Sequence, residues 1–217
     1  AISDNVRNRI KRFYERDAEI IYPPAETNRF ESSAKDEGFY LIISALVPYK
    51  RIDLAVEAFN ASGKRLIVIG TGNSEKRLKS IARANIEFLG WVDDKDIADY
   101  YYRCTALIFP GEEDFGIVPV EANACGKPVI AYGKGGVLET IIPANPPAHQ
   151  PVNSQPTGVF FYEQTPKALI EAVEYFEGNK DKFNPDTLRE NALRFDRGVF
   201  KQRISEFIKS KVKKNET

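Results

Sequence analysis

Six short apolar runs recur along this chain, each leading into a longer amphipathic stretch, and no other feature narrows the fold so far. The runs are FYLIISA (39–45), KRLIVIG (64–70), IEFLGW (86–91), TALIFP (105–110), KPVIAY (127–132) and TGVFF (157–161). They have strand length and are rich in β-branched and aromatic residues. They are apolar throughout rather than at alternate positions, which marks strands covered on both faces. Such cover comes from crossover helices, and the stretches between the runs have helical spacing. RIDLAVEAFNAS (51–62) places Ile52, Ala55, Val56 and Phe59 on one face. Further helices are expected near 74–83, at 94–103 with Asp93 or Asp94 as cap, and at 117–125. Three more are expected at 165–177, where Thr165-Pro166 makes a cap and first-turn proline, and at 185–194 and 197–213. The predicted class is α/β: a doubly wound, mostly parallel, Rossmann-like sheet.

In such sheets ligands lie beyond the carboxyl ends of the strands, so the loops leaving strands deserve the closest reading. LVPYKR puts Lys50 and Arg51 just ahead of a helix start, where positive charge and the helix end suit an anion such as a diphosphate; solvated surface residues are the alternative. GTGNSE places Gly70 and Gly72 where backbone can approach a ligand, although tight strand-to-helix turns call for glycine in any case. The loop PGEEDFGIVPVEANACG (110–126) is the least ordinary. Gly116 precedes a helix and leaves the amides of Gly116, Ile117 and Val118 open to a phosphate. Acids near a helix start stabilise its dipole by about 0.3–1 kcal/mol each. That does not account for Glu112, Glu113, Asp114 and Glu121 together, nor for Phe115 in a loop. Carboxylates flanking a phosphate cradle suit a ligand with hydroxyls on both sides of its phosphates, which describes a sugar nucleotide. YGKGGVLET (132–140) offers Gly133, Gly135 and Gly136 near the same cleft.

These motifs, taken in order, resemble the C-terminal, nucleotide-sugar-binding half of a retaining glycosyltransferase of the GT-B fold, within the mannosyltransferase-like family of O-antigen and related glycan assembly. The resemblance runs from IIYPPAETNRF (20–30) to about residue 173 and centres on Glu113 and Glu121, eight positions apart around DFGIVPV. It implies that Glu113 holds donor-sugar hydroxyls, Glu121 the ribose, and Phe115, Gly116 and Ile117 the sugar and diphosphate through their amides. Lys50 and Arg51 would neutralise the departing diphosphate, and Gly90, Trp91 and Val92 would meet the base. Many relatives carry an arginine five residues before the lysine; here that position is Ala45, and Arg51 is the nearest replacement.

The implied donor is GDP-mannose, with UDP- or ADP-hexose transferases of the same fold as the alternative and a non-catalytic nucleotide-binding module as a reading from another class. Neither cofactor nor metal is called for. The implied layout is a linker and entry helix over 1–25, the Rossmann-like domain over 26–195, and a C-terminal helix over 196–217 that packs on a preceding acceptor-binding domain. The acceptor would be a glycan or a lipid-linked molecule.

Composition sets few further limits. The 217 residues suffice for a real core, and Lys plus Arg balances Asp plus Glu at 31 each, so charge gives no reason to expect nucleic acid. Cys104 and Cys125 form no disulfide framework or metal spacing. No run of about 18 apolar residues exists, and the opening lacks the apolar centre of a secretory signal. A cytoplasmic protein is expected. The basic ends NVRNRIKRFYER and KSKVKKNE leave open a peripheral contact with the inner membrane face. His149, the only histidine, is read as a surface-loop residue.

Overall fold

A computed structural model describes residues 1–146 and 155–215, so His149 and the middle of its proline-rich loop lie outside the described residues. Each of the six apolar runs forms a strand: β1 (Phe39–Ile43), β2 (Arg65–Ile69), β3 (Ile86–Gly90), β4 (Ala106–Phe109), β5 (Val129–Tyr132) and β6 (Gly158–Phe161). They make one sheet in the order β3-β2-β1-β4-β5-β6, and every pairing is parallel.

Period-2 geometry explains why the inner strands are apolar at successive positions, whereas the edge strand β3 carries exposed Glu87. Tyr40, Ile42, Leu66, Val68, Ala106, Ile108, Ile130, Val159 and Phe161 enter one buried cluster. Their sequence neighbours Phe39, Leu41, Ile67, Ile69, Leu107, Phe109, Val129, Ala131 and Phe160 enter a second, on the other face. The first cluster is closed by α2 (Ile52–Ser62) and α7 (Pro166–Glu177), through Leu54, Val56, Phe59, Leu169, Val173 and Phe176. The second is closed by α4 (Asp94–Arg103) and α5 (Ile117–Ala124), through Tyr101, Val120, Ala122 and Ala124. Shorter helices α3 (Glu75–Ile81) and α6 (Val137–Thr140) complete the crossovers, and α8 (Pro185–Leu193) packs along α5.

The expected caps form. Asp93 accepts from the Lys95 amide at the start of α4, and Thr165 accepts from the Ala168 amide ahead of Pro166. A helix in the opening segment, α1 (Asp4–Tyr14), is better defined than the sequence suggests: buried Ser3 accepts from the Val6 amide, and Glu15 ends the helix in the left-handed conformation. The long α9 (Arg197–Asn215) leaves Val199, Ile208 and Val212 exposed. Among the described residues no helix is long and apolar enough to cross a membrane.

The strand order reverses between β1 and β4, so the crevice of the sheet opens where their exit loops diverge. One side of that region is fixed by an aromatic trio from three distant parts of the chain. Phe115 lies 5.7 Å from Tyr22 and 5.4 Å from Phe195, and Tyr22 meets Phe195 edge-on at 5.2 Å. Truncating the central ring, Phe195→Ala, is expected to cost about 3–5 kcal/mol in urea unfolding. A loss below about 1 kcal/mol would show that the trio does not anchor this end of the molecule.

Candidate functional site

The acidic loop divides its charges among three separate elements. Glu112 pairs with Lys134 of the β5 exit loop at 3.1 Å. Glu113 pairs with Lys50 of the β1 exit loop, and Asp114 with Arg9 of α1. The β4 loop is thus tied at once to both neighbouring strand exits and to the first helix. Backbone contacts tighten the arrangement: Gly136 donates to the Glu113 carbonyl at 2.8 Å. At Gly111 a Cβ would lie 3.0 Å from the Lys50 Cα, so the β1 and β4 exits touch directly. A cleft of about 480 Å³ opens here, lined by Asn5, Arg9, Tyr49, Lys50, Glu112, Glu113 and Asp114.

Lys50 and Glu113, both among the residues singled out by sequence, therefore meet across the crevice. They are also the most enclosed of the three pairs, with side chains 15% and 25% exposed. Three residues beyond Glu113, buried Gly116 precedes α5 at φ 89°, a left-handed conformation that favours glycine, and neither it nor Ile117 and Val118 is among the residues that line the cleft. No side chain caps α5, so the amides of its first turn keep their capacity to bind an anion. Ile117 is exposed at this helix start, and Val118 is half-buried.

Glu121 lies on a different side of α5. Its carboxylate accepts from the Tyr101 hydroxyl of α4 at 3.1 Å. Burial pushes its pKa up, while the Tyr101 hydrogen bond and the nearby Arg29 pull the other way. Trp91 and Val92 leave β3 ahead of α4, Trp91 73% exposed and Val92 packed on the core. The two glutamates thus flank the start of α5, Glu113 toward β1 and β5, Glu121 toward α4.

Three expectations are corrected in detail. The Phe115 ring is buried in the aromatic trio, and the residue does not line the cleft. The Arg51 guanidinium does not enter the cleft either. Its residue takes a left-handed φ of 53° between a short 3₁₀ turn and α2, and its nitrogens lie 3.4 Å from Asp53 and 3.3 Å from the Gln164 side chain. Gln164 in turn donates to the Pro110 carbonyl at 3.1 Å, so Arg51 braces the β4 exit from behind. Finally, the bare faces of Gly70 and Gly72 turn to the β1 exit loop, where a Cβ would strike the carbonyls of Ser44 and Leu46. Loop packing alone requires glycine at both.

Sequence reading missed Arg9, Lys134 and Gln164. Each reaches the acidic loop across more than twenty positions, with no local pattern to announce it. It also missed Glu139, which accepts from the Asp4 amide with both oxygens at 2.9 Å and so holds the start of α1 over this edge. Among the described residues no group of three or more His, Cys, Asp and Glu side chains is arranged to hold a metal ion.

Residues 24–194 match the family model "Glycosyl transferases group 1". The chain belongs to that family, and its fold is of the GT-B type. Among its relatives is the uncharacterized glycosyltransferase MJ1178 of Methanocaldococcus jannaschii, 31% identical over 147 residues, a match covering 65% of this chain and 39% of that protein. Another is a GDP-mannose-dependent monoacylated alpha-(1-6)-phosphatidylinositol monomannoside mannosyltransferase of Corynebacterium glutamicum. It is 32% identical over 117 residues, covering 46% of this chain and 31% of that one. Among solved structures, Alr3699/HepE of Anabaena in complex with UDP superposes with a TM-score of 0.80 at 21% identity, over 97% of this chain and 63% of that one. The matched segments span well under half the length of both relatives.

The half-buried carboxylate gives the site a stability signature. A glutamate whose folded pKa is raised above its unfolded value is unfavourable at neutral pH, and the penalty vanishes in acid, where both states are protonated. Glu121→Gln keeps an acceptor for Tyr101 and removes the charge. It is expected to raise the thermal midpoint at pH 7 by roughly 2 °C, about 1 kcal/mol in a chain of this size, with no gain at pH 3.5. A lower midpoint at pH 7 would mean that the charged carboxylate stabilises the fold.

Proposed function

We propose that this chain is the donor-binding half of a retaining glycosyltransferase that moves mannose from GDP-mannose to a glycan or lipid-linked acceptor. The observation that carries the reading is the Lys50–Glu113 pair, set across the crevice beside the uncapped start of α5. The amides of Gly116, Ile117 and Val118 receive the diphosphate, and the Lys50 ammonium neutralises the charge that grows on it as the glycosidic bond breaks. Cations and dipoles already in place lower that barrier without rearranging, usually the largest catalytic contribution. Glu113 accepts from donor-sugar hydroxyls, which orients the ring against the departing phosphate. Glu121 accepts from the ribose, and the backbone at Gly90, Trp91 and Val92 meets the base.

The mannosyl donor is supported by the motif resemblance and by the Corynebacterium relative, whose name specifies GDP-mannose. The HepE complex holds UDP, which makes a UDP-hexose the second reading of the same site. A second domain supplies the acceptor pocket, and the exposed apolar residues of α9 are the surface on which it packs. Residues 1–25 join the two. A lipid-linked acceptor would be carried by a membrane, which the chain meets on its cytoplasmic side.

Trp91 is the only tryptophan and stands exposed at the proposed base site, so its fluorescence reports occupancy. GDP-mannose, UDP-glucose and ADP-glucose titrated against the 217-residue chain are expected to change that emission and raise the thermal midpoint in that order of affinity. Lys50→Gln is expected to weaken the preferred donor by about tenfold or more, the worth of a charge-assisted bond to phosphate. Donor binding without transfer of labelled sugar is the expected behaviour of this chain alone. No response to any of the three would overturn the donor-site reading, and robust turnover would overturn the need for a second domain.

A further inference from the structure

We propose that Arg9, carried by α1, is the second cation of the diphosphate site, and that Asp114 positions it there. This rests on the nucleotide-sugar reading above and adds to it a residue outside the stretch that matches the family, which begins at residue 24.

The charge balance around the cleft leads to the assignment. Lys50, Arg9 and Lys134 face Glu112, Glu113 and Asp114, each cation committed to one carboxylate. A diphosphate entering this neutral cluster has to draw its cations from groups already paired. Lys134 is not among the residues that line the cleft, and Arg51 is turned behind it toward Asp53 and Gln164. Ala45 brings no charge. Arg9 and Lys50 are the two cations that do line it.

The two are not equivalent. A lysine ammonium is a compact point charge. An arginine presents five N–H donors in a planar fork, so a guanidinium bonded to one carboxylate still has N–H groups to offer. Arg9 reaches Asp114 through Nη1 alone and is 55% exposed, leaving the rest of the fork open to a ligand. Asn5, one helical turn earlier on the same face of α1, also donates to Asp114 Oδ1 at 3.3 Å. The start of α1 is held independently by Glu139. Asp114 therefore fixes the azimuth of α1 and with it the direction of the Arg9 fork. It follows that donor binding and the seating of α1 are linked: a displacement of α1 takes one cation away from the diphosphate.

The test uses calorimetric titration of the 217-residue chain with GDP and GMP, and with UDP and UMP. Arg9→Gln is expected to weaken the preferred diphosphate about tenfold, one charge-assisted contact, while its monophosphate changes by less than about twofold. Arg9→Lys should fall between. Asp114→Asn should weaken diphosphate binding, and in the Arg9→Gln background it should have no further effect. If Arg9→Gln binds both diphosphates like the parent while Lys50→Gln does not, Arg9 is not part of the site and the donor reading stands. Equal loss of mono- and diphosphate binding also rejects Arg9 as the second cation. Tighter diphosphate binding by Asp114→Asn would make Asp114 a repelling charge and reject its positioning role. If the parent chain binds neither diphosphate, the donor reading falls with the proposal.

Discussion

The β4 exit loop has to satisfy two opposed demands within a few residues, and the rest of the site depends on how it does so. Phe115 belongs to the core and is buried against Tyr22 and Phe195. Glu112, Glu113 and Asp114 belong to the edge and are each drawn to a different cation. An anchored ring immediately after three tethered acids fixes the loop from both sides. The turn at Gly116 then aims the first amides of α5, and rigidity there matters because a preorganised donor costs nothing to reorient when charge develops.

Much of this architecture is local and was readable. Strands buried on both faces show as apolar runs at every position, and helix starts show as Asp93 or Thr165-Pro166, because strand period and capping act over a few residues. The order of the strands, and with it the crevice between β1 and β4, is set by how the crossovers pack and came only with the structure. Lys50 and Glu113 could be chosen because both sit in loops leaving strands and within the motifs that resemble the family. Partners set by tertiary packing could not be. Arg9 meets Asp114 across 105 positions and Asp4 meets Glu139 across 135, and nothing in the local sequence of α1 marks either contact.

Arg51 shows how a neighbour in sequence can be a stranger in space. It follows Lys50 directly, yet the left-handed turn at its own backbone swings its side chain to the opposite side of the loop. Lys50 then serves the cleft, and Arg51 serves the brace through Gln164 to Pro110. Two adjacent cations read as one feature in the sequence. The fold divides them into a cleft-facing charge and a structural one, and the other cation lining the cleft comes from α1.

The enclosure of the Lys50–Glu113 pair is an argument about purpose. Exposed ion pairs contribute little to stability, and partly buried ones pay a desolvation cost that their attraction only roughly offsets. The more exposed pairs at Glu112 and Asp114 can tether the loop at small cost in either direction. Lys50 and Glu113, the least exposed of the three, gain least from stability alone. The same holds for Glu121, whose burial works against its charged form. Among the charges of the acidic loop and α5, the most enclosed are therefore those on the two flanks of the α5 start. That is the distribution expected where ligand hydroxyls and phosphates, rather than the folded state, make use of the charge.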